Sequence, residues 1–472
     1  MNLKEYRSDV ILIIHFVLGM LLALASGLAF LWGILVFLIG IIAAYNNTKQ
    51  YPPHFFAAYL VGLELLARMS SSGLPHEFIK YAVSAVLLLS IVRTSRKINY
   101  AFVVIMLLLI PSCFLTDGGN LEETRQLISG NLSGLLCLVI SALYFYNRPF
   151  TPDAIKKIFR AILFPLSSIL GYMVVETPDF SEVDFGFQSN FVTSVYGPNQ
   201  ISSILGLGVL LIGLGYFLKI KFFKSNVVTI AFFSFLLFRG LLTFSRGGMI
   251  TPVVLLIFIF IYFSWKVAGF NKSTIRIVLI SSFLAAIFFF VFNYTDELTG
   301  DKLSDRYTGQ RGGVQVENID NFTSGRTKIM VLDWQIFLDN PWTGIGVGMG
   351  KFERVKYGYG VEVAAHNEFT RMLAEHGIFG VLALLLLIGL PIVHFYGRNR
   401  IAEKSIVIAF IGFCFVFMTH AATRIAAPSF LYGFAFISIP FLKRSVKHNV
   451  TLSRKQTFKT REGSFGNRTV GA

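Results

Sequence analysis

The chain has 472 residues, of which 54% are hydrophobic and only 14% charged, with a mean hydropathy of +0.65. A water-soluble domain of this size cannot carry so much apolar surface, so the composition requires an all-α polytopic membrane protein. The net charge of +16 could suit a nucleic-acid binder, but the cations lie in loops between apolar runs, which membrane topology explains without nucleic acid.

About fourteen apolar runs are long enough to cross a hydrocarbon core of roughly 30 Å as helices. They lie near 10–26, 28–45, 54–70, 78–92, 98–116, 128–146, 157–175, 199–218, 226–243, 247–265, 275–294, 378–397, 405–422 and 428–442. The stretch from Val10 to Tyr45 would measure about 54 Å as one helix at 1.5 Å per residue, so it must fold into a hairpin. Gly27 is the expected turn, and the length of the run argues against a cleavable signal peptide. On the third run Glu64 and Arg68 stand four apart, the spacing of an internal ion pair. The sequence GPNQ at 197–200 opens the eighth run, either as a helix start or with Asn199 and Gln200 free to bond sugar.

Arg239 and Arg246 lie seven residues apart around the end of the ninth run and face the same way if the helix is continuous. An arginine at membrane depth is costly and is a functional candidate by default. The chain then divides into spans one to eleven (1–294), an exterior loop (295–377), three further spans (378–442) and a basic cytoplasmic tail (443–472).

Within the loop, Thr327–Leu338 has the apolar spacing of a helix, with Ser324 as N-cap and Pro341 as stop. Gly344, Gly346, Gly348 and Gly350 follow, without the spacing of a nucleotide-binding loop. They suit tight turns or close approach of a ligand to backbone N–H groups. A second helix is expected over His366–His376, with Glu368, Arg371 and Glu375 as partners and Gly377 as its end. That places His366 in the first turn, where the helix dipole favours a neutral imidazole able to accept a proton. His376, at the far end, reads as structural. His420 and Arg424, four apart at the outer end of the thirteenth run, could line the same cavity.

With the N-terminus in the cytoplasm, most of the 42 Lys and Arg fall in cytoplasmic segments and most acidic residues outside. This is the positive-inside pattern, and it puts both termini in the cytoplasm. Cys113, Cys137 and Cys414 are scattered through the spans and read as packing residues, and neither a metal cluster nor a cofactor motif is present.

The segments TSGRTKIMVLDWQIFLDNPWTGIGVGMG and AHNEFTRMLAEHGIFG resemble the signature region of the bacterial O-antigen ligase and Wzy-type polymerase superfamily. The motif residues are His366, Asn367, Gly377 and Gly380. The resemblance implies a GT-C-like membrane glycosyltransferase of the inner membrane with a periplasmic active site. Its donor would be a glycan on undecaprenyl diphosphate, its acceptor a hydroxyl of lipid A core or of another glycan, and it would need no metal. His366 would be the catalytic base with Asn367 beside it, while Arg246 and Arg326, with Arg239, Arg424 and His420 as further candidates, would hold the diphosphate. Ligase is the favoured activity, ahead of Wzy-type polymerase and protein O-oligosaccharyltransferase. A polysaccharide transporter or flippase would instead show repeated halves and central carboxylates.

Overall fold

A computed structural model describes residues 6–25, 27–94, 98–177, 196–266, 272–308, 310–311, 314–315 and 325–440. The basic tail from 443 onwards and the expected cap Ser324 lie outside these residues.

The architecture is all-α apart from a two-residue antiparallel ladder, Gln310–Arg311 with Val314–Gln315. Helices run α1 Arg7–Leu24, α2 Gly27–Tyr45, α3 Pro53–Met69, α4 Phe78–Thr94, α5 Tyr100–Leu109, α6 Leu121–Phe145, α7 Pro152–Glu176, α8 Pro198–Phe217 and α9 Asn226–Leu241. They continue as α10 Arg246–Lys266, α11 Lys272–Leu298, α12 Lys302–Thr308, α13 Arg326–Asp339, α14 Gly350–Lys356, α15 Glu368–Tyr396, α16 Ile401–Ala421 and α17 Ala426–Phe434. Among the described residues, nine helices are long and apolar enough to cross a membrane.

Every expected apolar run carries a helix, but three differ from expectation. The run at 98–116 breaks at Pro111, where α5 gives way to a 3-10 turn over Pro111–Leu115. Gly27 is not the turn of the first hairpin; it is the first residue of α2. The run at 428–442 forms only the nine-residue α17, too short to cross a bilayer as a helix. An extended segment carries the chain onward instead: the Phe150 N–H donates to the Ser438 carbonyl at 2.7 Å and the Ser438 N–H to that of Arg148 at 2.9 Å.

Helix α7 is the centre of the packing, almost wholly buried against α1 and α3. Lipid tails are as apolar as these side chains, so helices in a bilayer gain most from close approach. Gly19 and Gly171 allow it: a Cβ on Gly19 would lie 1.9 Å from the Ser168 carbonyl oxygen, and one on Gly171 2.0 Å from that of Phe16. Ser167 and Ser168 then donate across the seam to the carbonyls of Leu12 and His15 at 3.0 and 2.7 Å.

The connections collect at two ends. At one, Asp9 accepts from the N–H groups of Lys224 and Ser225 at 2.9 Å each, and Glu403 accepts from Ile439 at 2.7 Å. At the other, Glu64 accepts from the N–H of Ala426 at 2.7 Å, and the Ala422 N–H donates to the His366 carbonyl at 3.1 Å. The candidate site is built at this second end.

Candidate active site

The segment before α15 is extended, and its last residue is the N-cap. Asn367 accepts through Oδ1 from the N–H groups of Phe369 and Thr370 at 2.9 and 3.4 Å, satisfying donors that a helix start leaves open. His366 therefore precedes the cap and does not lie in the first turn. It remains at the positive end of the helix, and its backbone is fixed from several sides. Arg424 donates to the Ala365 carbonyl at 2.9 Å, Arg354 to that of Val363 at 2.7 Å, and Ala422 to that of His366 itself.

Helix α15 breaks where the sequence indicated. Gly377 has φ 59° and ψ −137°, and a Cβ there would sit 2.7 Å from the backbone of Pro341, Trp342 and Gly344. Gly380 lets the Met372 carbonyl approach to where a Cβ would be 2.0 Å away. Gly377→Ala is accordingly expected to destabilise the protein by about 1–3 kcal/mol, read as a lower midpoint of thermal unfolding in detergent.

Half-buried His366 has its Nδ1 buried with no hydrogen-bond partner among the described residues. Burial, then the charges of Arg424, Arg326, Arg354 and His420, hold its pKa down at about 4. The imidazole is thus neutral at physiological pH and can accept a proton. Arg326 opens α13 and feels the positive charges of Arg306 and Arg424, which with burial lower its own pKa. Arg246, at the start of α10, lies within electrostatic reach of Arg306 and Arg326 and of the buried phenol of Tyr307.

Elsewhere at this end, four buried cations have carboxylate partners. Arg68 pairs with Glu64 at 2.5 Å, Arg371 with Glu368 at 2.5 Å and Glu375 at 2.9 Å, Arg354 with Asp333 at 2.7 Å, and Lys80 with Glu77. Breaking such a pair costs about 3–5 kcal/mol. Among the described residues, Arg326 and Arg424 form no ion pair. Like charges gathered without a counter-ion make a site for an anion.

Two expected members have polar atoms engaged by protein groups. Arg239 donates to the Met173 carbonyl at 2.8 Å and to Thr177, capping the end of α7. His420 is buried with both ring nitrogens engaged, Nδ1 with the Val416 carbonyl at 2.7 Å and Nε2 with Ser203 at 3.1 Å. It packs beneath Gly247, next to Arg246, so it shapes the site from behind. His376 contacts Ser112 and is fully buried, and three of the four loop glycines have positive φ and pack against protein atoms, as tight turns do. Arg306, Tyr307 and Arg354 were missed by sequence reasoning, because none sits in a motif and two short helices bring them to the site, α12 the first two and α14 the third.

Residues 230–385 match the O-antigen ligase family model. Over these residues the chain is similar to the O-antigen ligase family, which supports the O-antigen ligase and Wzy-type polymerase resemblance. This family match contains Arg246, Arg306, Arg326, Arg354 and His366, while Arg424 lies beyond it. The match supports glycosyl transfer of the ligase or polymerase type, involving a lipid-linked glycan, by a multi-pass membrane protein. No curated protein matches the chain.

Proposed function

We propose that the protein transfers a glycan from undecaprenyl diphosphate to a hydroxyl of lipid A core at the periplasmic face of the bacterial inner membrane, with inversion at the anomeric carbon. The observation that carries this reading is Arg326 and Arg424, which form no ion pair among the described residues, set beside a neutral, half-buried histidine. Arg246 and Arg326 hold the diphosphate, with Arg306 and Arg424 adding to the positive field, and planar guanidinium forks match phosphate oxygens two at a time. His366 takes the proton of the acceptor hydroxyl as its oxygen attacks the anomeric carbon. The bond from that carbon to the diphosphate breaks, its electron pair leaves on the lipid diphosphate, and the imidazolium then gives its proton to water. Arg354, held by Asp333, positions the His366 segment and does not touch substrate.

The same cations that bind the donor weaken the base while the site is empty. A bound diphosphate offsets their charge, so the imidazole gains basicity when the donor is in place. The base is therefore strengthened by the substrate it serves.

Deleting the gene and resolving the lipid-linked and surface glycans by size tests the acceptor. For a ligase, long chains are expected to accumulate on the carrier and to be missing from the surface lipid. Single repeat units capping the surface lipid would establish a Wzy-type polymerase, and unglycosylated exported proteins with unchanged surface lipid a protein transferase. Sidedness is tested separately. Alkaline phosphatase fused after Asn340 is expected to be active and after Lys224 or Arg400 inactive, because the last two lie in basic connections at the opposite end from His366. Activity at Lys224 would reverse the orientation.

A further inference from the structure

A cavity of about 550 Å3 opens beside the arginine cluster, within the roughly 300–1,000 Å3 range of small-molecule sites. Its walls come from α3, α4, α6, the start of α8, the first part of α15, the turn after α16, and the segments around 348–352 and 364–365. His366, Arg246 and Arg326 are not among them; Arg424 lines the cavity and also acts on His366 and Arg326.

The chemistry of the walls differs from that of the cluster. Of the wall cations, Arg68, Lys80 and Arg371 are each bound to a carboxylate while Lys351 and Arg424 are not among the described residues, and Glu77, Glu123, Glu368 and Glu375 stand in the same walls, so the charges of the lining nearly balance. It offers instead a dense set of fixed polar groups and two aromatic rings. Gln200 accepts from the Tyr196 hydroxyl at 3.0 Å, and its amide nitrogen takes no bond among the described residues. Asn131 is held by Arg371, Gln126 stands at the rim, and Phe352 adds a ring, over one face of which the Lys351 ammonium lies at 4.3 Å from the centroid. Amides, paired charges and aromatic faces suit a neutral polyhydroxyl ligand, whose OH groups both donate and accept.

We infer that this cavity, walled by Lys80, Gln126, Tyr196, Gln200, Phe352 and Arg424, binds the neutral sugar end of the acceptor glycan. The inference rests on the transferase reading above. An inverting displacement requires the incoming hydroxyl and the departing diphosphate on opposite faces of the anomeric carbon. Arg246, Arg306 and Arg326 do not line the cavity, while Arg424 lines it and acts on both His366 and Arg326, so Arg424 links the two groups.

The test uses full-length protein in detergent, the lipid-linked glycan pool of a strain deleted for this gene as donor, and the surface glycolipid of the same strain as acceptor. Gln126→Trp, which fills the rim, and Phe352→Ala, from a different wall, are each expected to raise the KM for acceptor about tenfold or more with the KM for donor unchanged. Size-exclusion elution at the wild-type position shows that each variant is folded, and one folded variant suffices. A rise in the donor KM alone would overturn the inference by making the cavity a donor subsite. Unchanged constants in both folded variants would also overturn it, leaving the transferase reading intact. Failure of the wild type to turn over this donor would instead overturn the transferase reading, and the cavity assignment with it.

Discussion

Replacing His366 with alanine is expected to lower glycan transfer by about 10²–10⁴-fold, the contribution of a positioned general base. Insertion and folding should survive, because the ring Nδ1 takes no hydrogen bond among the described residues and the segment is held through its backbone. The pH profile separates a base from a packing residue. His366 in the empty site has its pKa lowered to about 4 by burial and by Arg424, Arg326, Arg354 and His420. The imidazole is neutral and competent above that value and protonated and idle below it. kcat/KM for the donor, which reports the free enzyme, should therefore fall only as the pH drops through about 4. kcat, which reports the donor-bound enzyme, should fall at a higher pH, because the diphosphate offsets the cations. Coincident acid limbs would show that donor binding does not strengthen the base, and a His366→Ala enzyme retaining near-wild-type kcat would remove His366 from the chemistry.

Arg326→Ala and Arg246→Ala are each expected to cut transfer by about 10²–10³-fold, the usual effect of removing one preorganised group that stabilises developing charge. Lysine at either position should restore activity only in part, since a point charge cannot reproduce the bidentate fork. The arginines supply the positive charge, so turnover should continue in EDTA. Full rescue by lysine would show that net charge alone is used, and a requirement for added divalent metal would make a metal ion the main partner of the diphosphate.

Much of the architecture was legible in the sequence because its causes are local. Apolar length specifies where a helix can cross a bilayer, and each expected run carries a helix. Pro341 follows the end of α13, and Glu368, Arg371 and Glu375 pair because residues three and four apart share a helix face. The His366–Gly380 motif carried the family, and its Gly377 does end the first part of α15.

Other features depend on which segments meet, and a single chain carries no direct record of that. Asp333 and Arg354, on different helices, form a buried ion pair that holds the His366 segment. Arg306 joins Arg246, Arg326 and Arg424 only because α10, α12, α13 and the turn after α16 converge. Arg239, seven residues before Arg246 and on the same face of a continuous helix, is used elsewhere, because α9 ends at Leu241 and its guanidinium bonds the carboxyl end of α7. The last crossing is a short helix and an extended strap because the backbone groups of 436–439 find partners at 147–150 and Glu403, so helical bonds are not needed there. Hydropathy registers that such a segment is buried, but its conformation follows from neighbours distant in the chain.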